Sequence, residues 1–162
     1  IDIILIQCYS GWRASELIKL ELSNVSLEEQ TFRGGSKTNA GKDRIVPIHH
    51  LIYPLVEKHY REAERLKSPR LFSIQTLVEG DFSFIYYELY ARQFKVVINR
   101  LALDSRHHTH DCRKTFVTMA KRANVDEYAI KRIIGHQIAD LTERVYTDRS
   151  IEWLRSEIEK IH

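Results

Sequence analysis

Apolar residues recur at the three- and four-residue spacing of a helix in nearly every long segment of this chain, and the strand-like runs between them are short. Ile1, Ile4, Leu5 and Cys8 mark one face of an opening helix that Gly11 ends. Ala14 to Leu20 reads as a second short helix, with Leu17, Ile18 and Leu20 apolar. Val25–Leu27, Thr31–Gly34 and Arg44–Ile48 read as strands, with turns at Glu28-Glu29-Gln30 and Asn39-Ala40-Gly41. A helical pattern runs from His49 to Leu66, with Ile52, Leu55, Val56 and His59 on one face and Pro54 confined to the first turn. Ser83 can cap a helix reaching Leu101, with Ile85, Leu89, Phe94, Val97, Ile98 and Leu101 inward. Thr109 can cap another through Ala123, with Asn124 at its left-handed exit, and Asp126 caps a short helix that stops at Gly135. Ser150 opens the last helix, whose stripe is Ile151, Leu154, Ile158 and Ile161. The expected fold is mainly α with a small antiparallel β-sheet (α+β), as one domain over residues 1–162. No internal repeat, low-complexity stretch or linker interrupts it.

A chain of 162 residues can bury about 70% of its unfolded surface, enough for a core of its own. It has two cysteines, Cys8 and Cys112, so no disulfide framework is expected, and two reduced thiols suit an intracellular protein. No apolar run approaches the roughly 20 residues of a membrane span, and Ile1 to Gln7 lacks the features of a signal peptide. The opening at Ile1, already in helical periodicity, suggests a fragment of a longer protein. Net charge is +3, but the distribution is uneven: from Arg92 to Arg132 ten bases stand against four acids. A one-sided basic stretch on helical segments fits a nucleic-acid footprint.

Several residues could carry chemistry. His110 and Arg113 share a helix face at i, i+3 spacing, beside the N–H groups of a helix start that favour an anion. Arg13 follows a glycine turn at another helix start, His136 follows Gly135 at a helix exit, and Tyr146 lies ten residues further in a polar stretch. Lys37 sits in the hairpin segment Ser36-Lys37-Thr38. Taken singly, each reads as an ordinary surface or edge residue. Together, and in this order, they form a pattern.

That ordered set of Arg, Lys, His-x-x-Arg, Gly-His and Tyr resembles the catalytic domain of tyrosine recombinases, the phage integrase family, over essentially the whole chain. Arg13 matches the first family arginine in its Gly-x-Arg-x-Ser-Glu-Leu setting, and Lys37 the hairpin lysine, followed by Arg44-Ile45-Val46-Pro47-Ile48. Lys42 is a second candidate for the hairpin lysine. His110 and Arg113 match the His-x-x-Arg box, His136 the Gly-His position and Tyr146 the nucleophile. Cys112, Lys114 and Asp148 stand where the family more often has leucine, histidine and histidine, without touching the presumed chemistry. The N-terminal core-binding domain with which the family completes its clamp on DNA is absent from this sequence.

The resemblance implies site-specific cleavage and rejoining of DNA through a 3′-phosphotyrosine, with no cofactor and no metal. Arg13 and Arg113 would grip the phosphate oxygens, His110 would help deprotonate Tyr146, Lys37 would protonate the departing 5′ oxygen and His136 would donate to the phosphate. The arginines are then expected to be partly exposed toward the phosphate, so that lysine substitution slows cleavage while leaving thermal stability nearly unchanged. The implied partner is double-stranded DNA, bound as a homo-tetramer, with the isolated fragment monomeric or weakly associating and no membrane involved. For the stripe of the last helix, packing on its own domain is the default of an amphipathic terminal helix, and the resemblance suggests docking on a neighbouring protomer instead. The expected setting is the cytoplasm of a bacterium, or a phage-derived element. A type IB topoisomerase, a DNA-binding module that has lost catalysis, and a zinc site in His107-His108-Thr109-His110-Asp111-Cys112 are the rival readings. Zinc is disfavoured because no separated partner pair is visible.

Overall fold

The computed structural model describes residues 1–35, 41–137 and 150–162. Within them the chain runs α1 (Asp2–Ser10), α2 (Ala14–Leu17), a 3₁₀ turn at Leu22–Asn24, then β1 (Val25–Ser26), β2 (Thr31–Gly34) and β3 (Arg44–Pro47). It continues with α3 (Tyr53–Arg65), β4 (Ser73–Gln75), β5 (Phe82–Phe84), α4 (Tyr87–Arg100), α5 (His110–Arg122), α6 (Glu127–Ile134) and α7 (Ile151–Ile158). The architecture is α+β and mostly helical. Among the described residues, no helix is long and apolar enough to cross a membrane.

The three short strands form one antiparallel sheet in the order β1-β2-β3, with Val25 opposite Phe32 and Phe32 opposite Val46. Phe32 and Val46 are fully buried, and they meet Ile6, Trp12, Phe116, Ile133 and Leu154 in the main core. The sheet is too small to bury a face alone. Helices α1, α5, α6 and α7 pack against it, joined by Leu17 of α2, Val56 of α3 and connecting residues such as Ile52, Leu71 and Phe72.

Asp126, Gly135, Ser150 and Asn124 cap helices where the sequence places them. Asp126 accepts hydrogen bonds from the backbone N–H groups of Tyr128 and Ala129, and Gly135 closes α6 at φ 67°. Ser150 accepts from the Trp153 N–H. Pro54 lies in the first turn of α3, and Asn124 takes the left-handed exit at φ 53°. Thr109 precedes α5 but makes no side-chain cap.

Four expectations need correction. The buried face of α1 is Ile6, Gln7 and Ser10, whereas Ile1 and Leu5 are exposed. Ile1, Ile3, Ile4, Leu5 and Ile6 make this helix apolar on nearly every side, so spacing alone does not choose a face. The polar groups on the buried face are matched: Gln7 Nε2 donates to Trp12 O at 3.1 Å, Tyr90 donates to Gln7 Oε1 at 2.6 Å, and Ser10 donates to Ile6 O at 2.5 Å.

Secondly, Ser83 is not a helix cap. It lies in β5 opposite Ile74 of β4, and the helix begins at Tyr87. Phe82 and Phe84 meet edge-on at 5.5 Å, and the Arg70 guanidinium lies 4.2 Å over the Phe84 ring. Thirdly, Leu101 lies beyond α4 and is 62% exposed.

The last correction concerns α7, which ends at Ile158, short of the Ile161 that the expected stripe includes; of the two arrangements open to that stripe, packing on its own chain is the one found. Leu154 and Ile158 are 0% exposed and Ile161 1%. Each such aliphatic contributes roughly 1.5–3 kcal/mol by leaving water, which makes docking within the chain the favoured arrangement. Polar contacts add direction. Glu157 accepts the Asp126 N–H at 2.8 Å. The Leu51 N–H donates to His49 Nδ1 at 3.1 Å, so the proton sits on Nε2 and is donated to Ile161 O at 2.8 Å.

Candidate active site

Gly11 closes α1 at φ 66°, and a Cβ there would lie 2.6 Å from Phe116 Cδ1. Only glycine lets the turn approach α5 this closely. The turn delivers Trp12 into the core and Arg13 to the start of α2. Across it, Arg113 reaches in from α5, only 4% exposed. Its Nη1 donates to Gly11 O at 2.8 Å and its Nη2 to Ile134 O. The second of the two family arginines is thus largely committed to backbone. That corrects the expectation of a partly exposed side chain free to face a phosphate.

Arg13 retains 16% of its side-chain exposure and donates to Glu16 Oε1 at 3.3 Å. The other oxygen of Glu16 accepts from Arg44 Nη2 at 3.0 Å. Arg44 also donates from Nε to Ile133 O at 2.9 Å and from Nη1 to Gly41 O at 3.1 Å, with its guanidinium 4.0 Å over the Trp12 ring. Burial, and after it the charges of Arg13 and Arg44, bring Arg113 down to about 10. It stays a cation at neutral pH. Three guanidiniums therefore gather around the Glu16 carboxylate.

His136 is exposed, one residue past the αL glycine that ends α6. Burial of part of its ring, then the charges of Arg113 and Arg13, hold its pKa below the ordinary histidine value. Arg113 donates to Ile134 O and Arg44 lies against Gly135, so His136 follows directly on the arginine cluster. A Cβ on Gly135 would lie 2.7 Å from Gly41 Cα, so the end of α6 rests against the foot of the β2–β3 connection.

His110 opens α5 and is exposed. Partial burial, then Arg113, Lys114 and His108, lower its pKa, which leaves the imidazole neutral and able to accept a proton near pH 7. It lines a cleft of about 290 Å³ together with Arg13, Ala14, Ser15, Tyr87 and Thr109. Tyr87 Oη and Thr109 Oγ1 are 3.1 Å apart at its edge. The first turns of α2 and α5 both open onto this cleft. Behind it, His107 Nδ1 and the His108 N–H lie 3.3 and 3.0 Å from Asp111 Oδ2, so Asp111 braces the loop that leads into α5.

The structure thus brings together Arg13, His110, Arg113 and His136. Lys37 and Tyr146 lie outside the described residues. Lys42 is exposed near the foot of the hairpin. Sequence reasoning missed the site roles of Glu16 and Arg44. Glu16 carried a usable signal, because it stands at i+3 from Arg13 on the same helix start. Arg44 opens the Arg44-Ile45-Val46-Pro47-Ile48 strand quoted for the resemblance, but as a strand residue it was given no role at the site.

Similarity to known proteins agrees with this geometry. The profile of the phage integrase family matches residues 2–152. A tyrosine recombinase XerC of Shewanella oneidensis is 27% identical over 153 residues, covering 94% of this chain and 48% of the relative. The chain therefore spans about half the length of the curated relatives it matches. The integrase from mycobacterium phage Brujita superposes with a TM-score of 0.74 at 20% identity, over 99% of this chain and 50% of that one. The XerA recombinase superposes with a TM-score of 0.66 at 25% identity, over 95% and 55%. XerH site-specific recombinase, solved bound to its difH substrate, gives 0.65 at 24%, over 96% and 44%. With the profile match spanning nearly all of it and the fold shared, the chain belongs to the phage integrase family.

Proposed function

We propose that this chain is the catalytic domain of a DNA strand-transferase that recombines specific DNA sites through a 3′-phosphotyrosine. The observation that carries the reading is the charge balance of the cleft. Arg13, Arg44 and Arg113 surround one carboxylate, Glu16, which leaves the cluster with excess positive charge beside an open pocket. A phosphodiester brings one negative charge, and its pentavalent transition state gathers a second on the non-bridging oxygens. The site is preorganised for the charge that develops.

In the proposed step Tyr146 Oη attacks phosphorus, the P–O5′ bond breaks, and the phosphoryl group stays on the tyrosine. His110, neutral by virtue of its surroundings, takes the phenol proton, and Lys37 gives a proton to the leaving 5′ oxygen. His136 donates to a non-bridging oxygen, and the incoming anion raises its pKa from the lowered value of the empty site. Attack by another strand's 5′ hydroxyl reverses the chemistry, so ester energy is conserved and no ATP is consumed. Double-stranded DNA is the proposed partner, with four copies assembled on paired sites in a bacterial or phage-derived cytoplasmic setting. XerH, solved bound to its difH substrate, supports the DNA partner.

The test uses the full chain and a library of nicked duplexes of randomised sequence, in buffer with EDTA. DNA that stays attached to protein in SDS reports the covalent intermediate, and sequencing it returns the preferred site. Tyr146→Phe should abolish attachment. An adduct that persists in Tyr146→Phe, or no adduct from the unaltered chain, overturns the proposal.

A further inference from the structure

Arg44 lies at the centre of the site without touching the cleft. Its side chain is 5% exposed, and its three donor positions point in three directions. Nη2 holds Glu16, Nε holds Ile133 O at the end of α6, and Nη1 holds Gly41 O at the foot of the hairpin. Its flat face covers Trp12, the residue before Arg13. These contacts reach the segments that carry Arg13 and His136 and the hairpin of the two candidate lysines. We propose that Arg44 is a positioning residue for strand cleavage, which keeps the Arg13 guanidinium available to the phosphate by holding Glu16 and which sets the turn that presents His136. The inference rests on the proposed phosphoryl-transfer function.

The charge argument is specific. Glu16 is a largely buried carboxylate between two guanidiniums, with one oxygen toward each. While Arg44 neutralises it, Arg13 contributes a single hydrogen bond to Glu16 and keeps donors for a phosphate. Without Arg44, the carboxylate keeps its bridge to Arg13 with less positive charge beside it, and a bidentate Arg–carboxylate pair is the strong alternative geometry. Arg13 would then turn inward and its charge would be spent on Glu16. Lysine cannot substitute fully, because a single ammonium cannot span Ile133 O, Gly41 O and Glu16 while stacking on an indole.

Removing the charge of Glu16 should therefore repair the loss of Arg44. A residue that merely supports the fold predicts the opposite, since each deletion would add its own damage. The measurement is single-turnover adduct formation at saturating DNA, using the duplex recovered from the nicked library, with DNA affinity measured separately. Arg44→Met should slow adduct formation about 100-fold, the scale expected for misplacement of a phosphate-gripping group, while the dissociation constant for DNA changes less than about threefold. Adding Glu16→Gln to Arg44→Met should restore about tenfold of the rate, on the same scale.

A double variant no faster than Arg44→Met, or Arg44→Met within threefold of the unaltered chain, overturns the inference. Should Arg44→Met fail to fold, Arg44→Lys takes its place. Slow adduct formation with retained DNA affinity then supports the inference, and an unchanged rate overturns it. If the unaltered chain itself forms no adduct, the functional reading fails instead, so the two failures are told apart.

Discussion

Replacing Arg113 by lysine tests whether this side chain supports the fold as well as the chemistry. Arg113 is 4% exposed and donates to two backbone carbonyls, Gly11 O at 2.8 Å and Ile134 O. Those carbonyls belong to the turn before Arg13 and the turn before His136. A lysine ammonium is shorter and lacks the fork, so it keeps one carbonyl at most. A hydrogen bond from a charged donor is worth about 1.5–3 kcal/mol, and a buried carbonyl left without a partner costs a similar amount. The expected loss is thus about 2–3 kcal/mol. For a domain of this length each kcal/mol shifts the unfolding midpoint by about 2–4 °C, so Tm should fall by roughly 4–12 °C. Circular dichroism melts and urea titrations of Arg113→Lys against the unaltered chain give both numbers. Adduct formation, measured well below both midpoints, should fall as well, because the two turns loosen together. A Tm within about 1 °C of the parent would refute the reasoning and return Arg113 to a purely phosphate-facing role.

Leu154→Ala should destabilise the isolated chain by about 2–5 kcal/mol, because Leu154 is fully buried within its own protomer. Unchanged urea stability in the monomer would mean that α7 is held by a neighbour after all. Stability should also fall as the pH drops from about 7 to 5.5. Burial lowers the pKa of His49 against the opposing pull of Glu159, and likewise that of His59 against Asp2. The unfolded chain therefore binds more protons below its ordinary value of about 6.5, and acid draws the equilibrium toward it. Melts across that window would contradict this if Tm stayed level or rose on acidification.

Local neighbours were enough to read much of this protein from sequence. Helix α6 is bracketed by Asp126 and Gly135, and Pro54 marks the start of α3, because caps and prolines act on backbone groups within a turn of themselves. The spacing of His110 and Arg113 put them on one helix face for the same reason. Alternation in Phe82-Ser83-Phe84 was a legible strand signal that a capping serine outweighed. Other features depended on segments remote in sequence. The buried side of α1 was settled by its neighbours, since the helix offers apolar residues in all directions. Arg113 meets Gly11 across 102 residues and Arg44 meets Ile133 across 89, and neither strand nor helix periodicity encodes which buried carbonyl an arginine will satisfy. The sequence by itself singled out Arg13, His110, Arg113 and His136 as candidates, which the fold brings together. Only the tertiary structure decided that two of the three clustered arginines are spent on holding its turns in place, because a buried carbonyl must find a donor and the nearest guanidinium supplies it.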